Sequence, residues 1–212
     1  MSMRTKVNYF IAAGFIAIAS MLVSCSEDEI DPVNNETGTF TDARDGKTYK
    51  TVEIGNQVWM AENLNFATTS GSCVYDNNPA NAEIYGRLYN WETAQDACPT
   101  GWHLPTDEEW TILTEYLGGE QVAAGKMKEE GNIHWDAPNT GATNESGFTA
   151  LGAGDSIDPD FYDGMGIIAS FWSATEKTSH YAYVRNLFNN SASINRHDRH
   201  KDFSLSVRCI KD

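Results

Sequence analysis

Cations are scarce in this chain of 212 residues: 15 Lys and Arg stand against 30 Asp and Glu, a formal net charge of −15. Nucleic-acid binding rests on a basic footprint that neutralises phosphates. A chain this acidic lacks one, so no nucleic-acid partner is expected. Proline is scarce too, at 6 residues, which excludes a proline-rich stalk. A membrane-spanning helix needs about 20 apolar residues. The apolar run from Tyr9 to Val23 has 15. No Ser-His-Asp order, nucleotide loop or dinucleotide fingerprint is present. Glu108-Glu109 reads as a helix start rather than a glycosidase pair. Aromatics are plentiful, at 11% with 6 Trp, too many for a disordered chain. One well-cored acidic domain of extracellular character fits these figures.

The N-terminus reads as an address. Arg4 and Lys6 precede the apolar run, which ends in Leu22-Val23-Ser24-Cys25. That tetrapeptide resembles the bacterial lipobox and implies cleavage before Cys25 and lipidation of its sulfur and new amino group. The bland alternative is an ordinary secretory signal with an accidental cysteine. Ser26-Glu27-Asp28-Glu29 resembles the export signal that sends lipoproteins of the Bacteroidota to the cell exterior; a plain acidic tether is the alternative. Residues 1–24 are therefore assigned to a signal peptide, 25–38 to a lipidated flexible tether and 39–212 to the domain. An outer-membrane lipoprotein exposed at the surface is the expected location.

Within the domain, Thr48 to Ile54 and Gln57 to Met60 flank Gly55-Asn56 and predict a hairpin. Residues 67–83 read as loop, and Leu88 to Ala97 as a short helix. The clearest helix begins at Thr106, where Thr106 and Glu109 form a capping box. Trp110, Leu113 and Leu117 make its buried stripe, and Gly118-Gly119 end it. Residues 131–168 read as mostly loop, and 169–174, 181–188 and 203–210 as strands. His197 and His200 fall in a basic stretch that reads as an exposed turn, and His103 as a satisfied core histidine. The expected class is α+β, with two helices, a mainly antiparallel sheet and a long irregular loop region.

Six runs name a family: residues 41–65, YGRLYNW (85–91), CPTGWHLPTDEEW (98–110), TNESGFTALGAG (143–154), FWSAT (171–175) and SVRCIKD (206–212). In this order they closely resemble the Fibrobacter succinogenes major paralogous domain. That domain resembles the C-type lectin-like fold and the formylglycine-generating, sulfatase-modifying domains, through Leu104-Pro105-Thr106 to Trp110 and the closing Arg208-Cys209 strand. The resemblance implies a domain whose termini meet in one sheet. It supplies no settled activity, since one scaffold hosts many functions.

The resemblance also implies a Cys98–Cys209 bridge from helix start to last strand. Relatives often carry a cysteine near position 82, which here is Ala82, so Cys73 is left as a free thiol, either buried and inert or exposed and reactive. A two-thiolate copper oxidase site needs a second cysteine where Ser204 stands, which argues against an enzyme. The lectin Ca²⁺ triplets are replaced by Ala137-Pro138-Asn139 and Trp172-Ser173-Ala174, which lack the oxygen ligands.

Asp155, Asp158, Asp160 and Asp163 form a Ca²⁺ candidate without EF-hand spacing; a solvated acidic loop is the alternative. Trp135, Asn139, Phe161 and Tyr162 are the candidate ligand contacts. Their rings either stack on a sugar or protein partner or plug the loop down. The expected function is a non-enzymatic binding or adhesion module for glycan or protein through 131–168. A structural or accessory subunit of a cell-surface assembly is the alternative, and a metal-dependent oxidase a third. The membrane is the expected partner of the lipid. Cys25→Ser should release the chain from membrane pellets; a variant that still pellets at its original mass would contradict the lipobox.

Overall fold

The computed structural model describes residues 36–158 and 161–212, apart from the side chain of Asp158. The signal segment, Cys25, the acidic stretch 26–29 and Asp160 lie outside these residues. The elements run β1 (Thr37–Thr41), β2 (Thr48–Ile54), β3 (Gln57–Met60), β4 (Ser72–Cys73), α1 (Pro79–Tyr85), β5 (Leu88–Asn90), α2 (Trp91–Gln95), β6 (Trp102–His103), α3 (Asp107–Tyr116) and α4 (Ala123–Met127). They continue with β7 (Ala153–Asp158), β8 (Phe161–Met165), β9 (Ile168–Glu176), β10 (Tyr181–Phe188), β11 (Ile194–His200), β12 (Ser204–Ser206) and β13 (Ile210–Lys211). The class is α+β. One antiparallel sheet has the order β1-β2-β3-β13-β6, so the first and last strands share it. The other runs β11-β10-β9-β7-β12-β5-β4, with β8 paired to β7. It is antiparallel except where β9 meets β7 and β12.

The expected hairpin forms, and Gly55 takes the left-handed φ of +62° that its tight turn requires. Helix α3 has the full capping box: Glu109 N donates to Thr106 Oγ1 at 3.2 Å, and Thr106 N to Glu109 Oε2 at 2.7 Å. Its stripe of Trp110, Leu113 and Leu117 is buried. Trp59, Trp110, Phe148 and Phe171 nest with ring centroids 4.8–5.9 Å apart. Indole N–H groups in the core donate to backbone carbonyls, Trp110 to Trp172 and Trp172 to Tyr89.

Two buried cations fasten the chain where it is irregular. Arg208 donates to Asn63 Oδ1 at 2.7 Å, to Met60 O at 3.2 Å, to Thr149 O at 3.3 Å and to Phe148 O. Its guanidinium lies 4.2 Å from the Phe148 ring centroid. Lys128 Nζ donates to the carbonyls of Thr140, Phe188 and Ser191 at 2.9–3.0 Å. Burial pushes the Lys128 pKa down to about 8, which leaves the ammonium protonated at neutral pH. Beside Arg208, Cys209 is bridged to Cys98 across 111 residues. In the chain-entropy picture such a closed loop stabilises by about 4–5 kcal/mol.

Several expectations are corrected. Four α-helices occur among the described residues where two were expected. Residues 67–83 are not all loop, since β4 and α1 lie there; Asn78 caps α1 and Pro79 opens it. The span 88–97 divides, because Leu88 and Tyr89 are buried in β5 against β12 while Asn90 caps α2. The irregular region ends at 152, where the β7–β8 hairpin begins. The histidine stretch is strand β11, polar because it forms the sheet edge. Residues 203–210 break into β12 and β13, in different sheets, where Arg208 turns inward. Thr37 and Gly38, assigned to the tether, pair with β2.

A candidate ligand-binding cleft

The residues singled out in the sequence do not form one site. Trp135 is 1% exposed, and its Nε1 donates to Ala150 O at 2.9 Å, so it plugs the irregular segment and offers no face to a ligand. Asn139 is also buried; its Nδ2 donates to Glu129 O at 2.9 Å and Gly131 O at 2.6 Å, which pins the loop. Trp135 thus takes the plugging alternative of the two expected for the rings, and Asn139 is a correction to the expected contact set. Phe161 is 52% exposed at the tip of the β7–β8 hairpin. Tyr162 is half-buried, packs on Tyr75 at 5.2 Å between ring centroids, and its hydroxyl donates to Asn77 Oδ1 at 3.2 Å.

The aspartates are divided as well. Asp155 and Asp163 face each other across the hairpin. Asp155 is buried and is committed to Ser170 Oγ at 3.2 Å and Arg199 at 3.7 Å. Burial pushes its pKa up, and Asp163 adds to the rise. Asp160 and the side chain of Asp158 lie outside the described residues. Among the described residues no group of three or more His, Cys, Asp or Glu is placed to hold a metal. Cys209, the thiolate that a copper site would use, is oxidised in the bridge to Cys98. His103 is half-buried rather than core, held between Glu109 at 2.9 Å and Asp212 at 2.7 Å, and these carboxylates raise its pKa against the opposing effect of burial.

The chemistry of the surface gathers elsewhere, at the β4 edge of the larger sheet. A cleft of about 690 Å³ opens there, lined by Ser72 and Cys73 of β4, Asn90 of β5, Ser204 of β12, Pro79, Ala82 and Glu83 of α1, and by Lys47, Asn65, Arg87 and Asp202. A cavity of about 280 Å³ adjoins it, shares Lys47, Asn65, Ala82 and Glu83, and reaches Arg208.

Local sequence builds this cleft. Asn78-Pro79 starts α1 along one wall, and Gly86 ends it at φ +73°. A Cβ on Gly86 would stand 2.8 Å from both Asn63 Cβ and Leu64 O, so only glycine lets the chain pass. Arg87 N then donates to Leu64 O at 3.0 Å, which fixes the start of β5. The Arg87 side chain is left over. Among the described residues its guanidinium makes no hydrogen bond, ion pair or ring contact, and its Nε is buried without an acceptor. The other described arginines, 44, 185, 196, 199 and 208, are all engaged. Burying an unpaired donor costs about 1–3 kcal/mol.

Residues 52–211 match the family model of the Fibrobacter succinogenes major domain. The chain belongs to this family. No curated protein and no solved structure matches it. In this major domain the run Tyr85-Gly-Arg-Leu-Tyr-Asn-Trp91 is the corner that sets Arg87 in the cleft. Asn78-Pro79 was the one sequence signal for the cleft wall.

Among the described residues Cys73 is the free cysteine, half-buried in the cleft wall. Burial pushes its thiol pKa up, opposed by hydrogen bonds with Ser204, Tyr162 and Ser156 and by the Arg87 charge. The raised pKa keeps the thiol protonated at neutral pH, the form that is a poor nucleophile. Non-reducing peptide mapping should find one cross-link, Cys98 to Cys209. Iodoacetamide should label Cys73 at pH 7 at least tenfold faster in urea than in the native protein. Equal rates would show an open, activated thiol.

Proposed function

We propose that this chain is a non-enzymatic binding module, a surface-exposed lipoprotein of the outer membrane held through Cys25, whose domain takes a glycan. The ligand sits in the β4-edge cleft, whose lining includes no residue of 131–168. The observation that carries the reading is the cleft itself: about 690 Å³, lined by amides, hydroxyls and an uncommitted guanidinium. A hydroxyl-rich ligand needs donors and acceptors, and the lining includes Asn65 and the Nδ2 of Asn90, whose Oδ1 caps α2, beside Ser72 and Ser204, whose hydroxyls also bond Thr68 and Cys73. The Tyr75 and Tyr162 rings stand beside it on the 75–77 turn and β8, where an aromatic face suits a sugar ring.

We place the domain in the C-type lectin-like fold. Supporting this are the shared sheet of the first and last strands, the capped helix after Leu104-Pro105-Thr106, and the Cys98–Cys209 staple. The reading takes no Ca²⁺, because Asp155 is committed to Ser170 and Arg199. Phe161, exposed at the tip of the β7–β8 hairpin, favours the second reading, an accessory subunit that docks a protein neighbour.

A glycan array with the full chain in detergent separates these. At least one glycan should bind. Asp202→Trp, a bulky group at the exposed rim, should weaken binding at least tenfold. Ile133→Ala, 81% exposed in the irregular segment, should leave it unchanged. No bound glycan would favour the accessory subunit. Loss with Ile133→Ala would return the site to the loop.

A further inference from the structure

We infer that the cleft selects an acidic glycan, and that Arg87 anchors its anionic group. This rests on the binding reading above and specifies its ligand class. The chain is strongly anionic, at −15, so its surface as a whole repels an anion. A cation held in a concave site is the exception, and Arg87 is held without a partner among the described residues. Guanidinium presents a planar fork of donors suited to the oxygens of a carboxylate or sulfate.

The other charged groups at the cleft do not use that fork. The Lys47 ammonium is 3.0 Å from Asp45. Glu83 and Asp202 are exposed at the rim, and neither pairs with Arg87. Asp202 lies instead 3.4 Å from His200. A protein that used Arg87 for stability would have given it a carboxylate or carbonyl, as it gives Asp107 to Arg185 and Asn63 to Arg208. The lining around Arg87 is mixed: the Asn65 and Asn90 amides and the Ser72 and Ser204 hydroxyls stand beside the apolar Val74, Pro79 and Ala82. One fixed positive charge within a ring of amides and hydroxyls matches a ligand with one anionic group among many hydroxyls.

The carboxylate of a uronic acid and the sulfate ester of a galactose share this chemistry, and the probes separate them. Titration calorimetry on the full chain in detergent would use trigalacturonate, its methyl ester and a sulfated galactose trisaccharide. The carboxylate or the sulfate sugar should bind at least tenfold more tightly than the neutral ester. R87Q should remove that advantage and R87K should retain part of it. The R87Q melting temperature should stay within a few degrees, because the guanidinium makes no bond to the described residues. Neutral and acidic sugars binding equally, or acid preference that survives R87Q, would overturn the inference while leaving the glycan-binding reading intact. If none of the three binds while other glycans do, the inference again fails alone. If no glycan binds at all, both fail. A large fall in melting temperature for R87Q without acid preference would assign Arg87 to the scaffold.

Discussion

A buried segment without a ladder still has carbonyls that need donors. In this domain the donors are two cations sunk in the core, Arg208 and Lys128. Neither has a carboxylate partner; both are surrounded by carbonyl and amide oxygens. A charge taken from water is tolerated only where its protons are all received. Lys128 has three ammonium protons and three carbonyls, from 140, 188 and 191. Arg208 gathers Met60, Asn63, Phe148 and Thr149, and its flat face lies on Phe148. The hairpin, the irregular segment and the last strand thus meet at one side chain, next to the bridge at Cys209.

Rigidity there leaves the opposite treatment of Arg87 meaningful. The same residue type appears once saturated and once empty within a single domain. Arg208 is placed by β-strand breakage between β12 and β13, and Arg87 by the glycine turn at the end of α1. The first sits at the junction of two sheets. The second faces a cleft at a sheet edge, where a short two-residue strand leaves backbone uncovered. Interactions left unmade at a concave site are where a ligand gains most.

Parts of this were legible from residues alone. The hairpin at Gly55-Asn56 and the helix after Thr106 carry strong local signals, turn chemistry and a capping box, and both form. The β9 and β10 strands are apolar enough to read. The β7–β8 hairpin is not, because its residues are glycines, aspartates and a few rings, the composition of a loop. Trp135 and Asn139 misled for a related reason. A tryptophan among polar neighbours looks exposed until a distant lysine and arginine are known to bind the carbonyls around it. The strand at Ile194–His200 is hidden by its own edge position, which lets six of seven residues be polar. The cleft was the least legible feature. Arg87 stands in a run that marks the family, and its lack of a partner exists only in three dimensions.

The irregular segment is held by buried cations through its carbonyls. Urea unfolding of the Lys128→Met variant, read together with amide hydrogen exchange, tests it most directly. Removing the ammonium leaves three carbonyls short of a donor and should lower stability by about 2–4 kcal/mol. Protection should fall first across residues 130–152 and persist in β9 and β10. A variant within about 0.5 kcal/mol of the parent, with protection of 130–152 unchanged, would contradict the account.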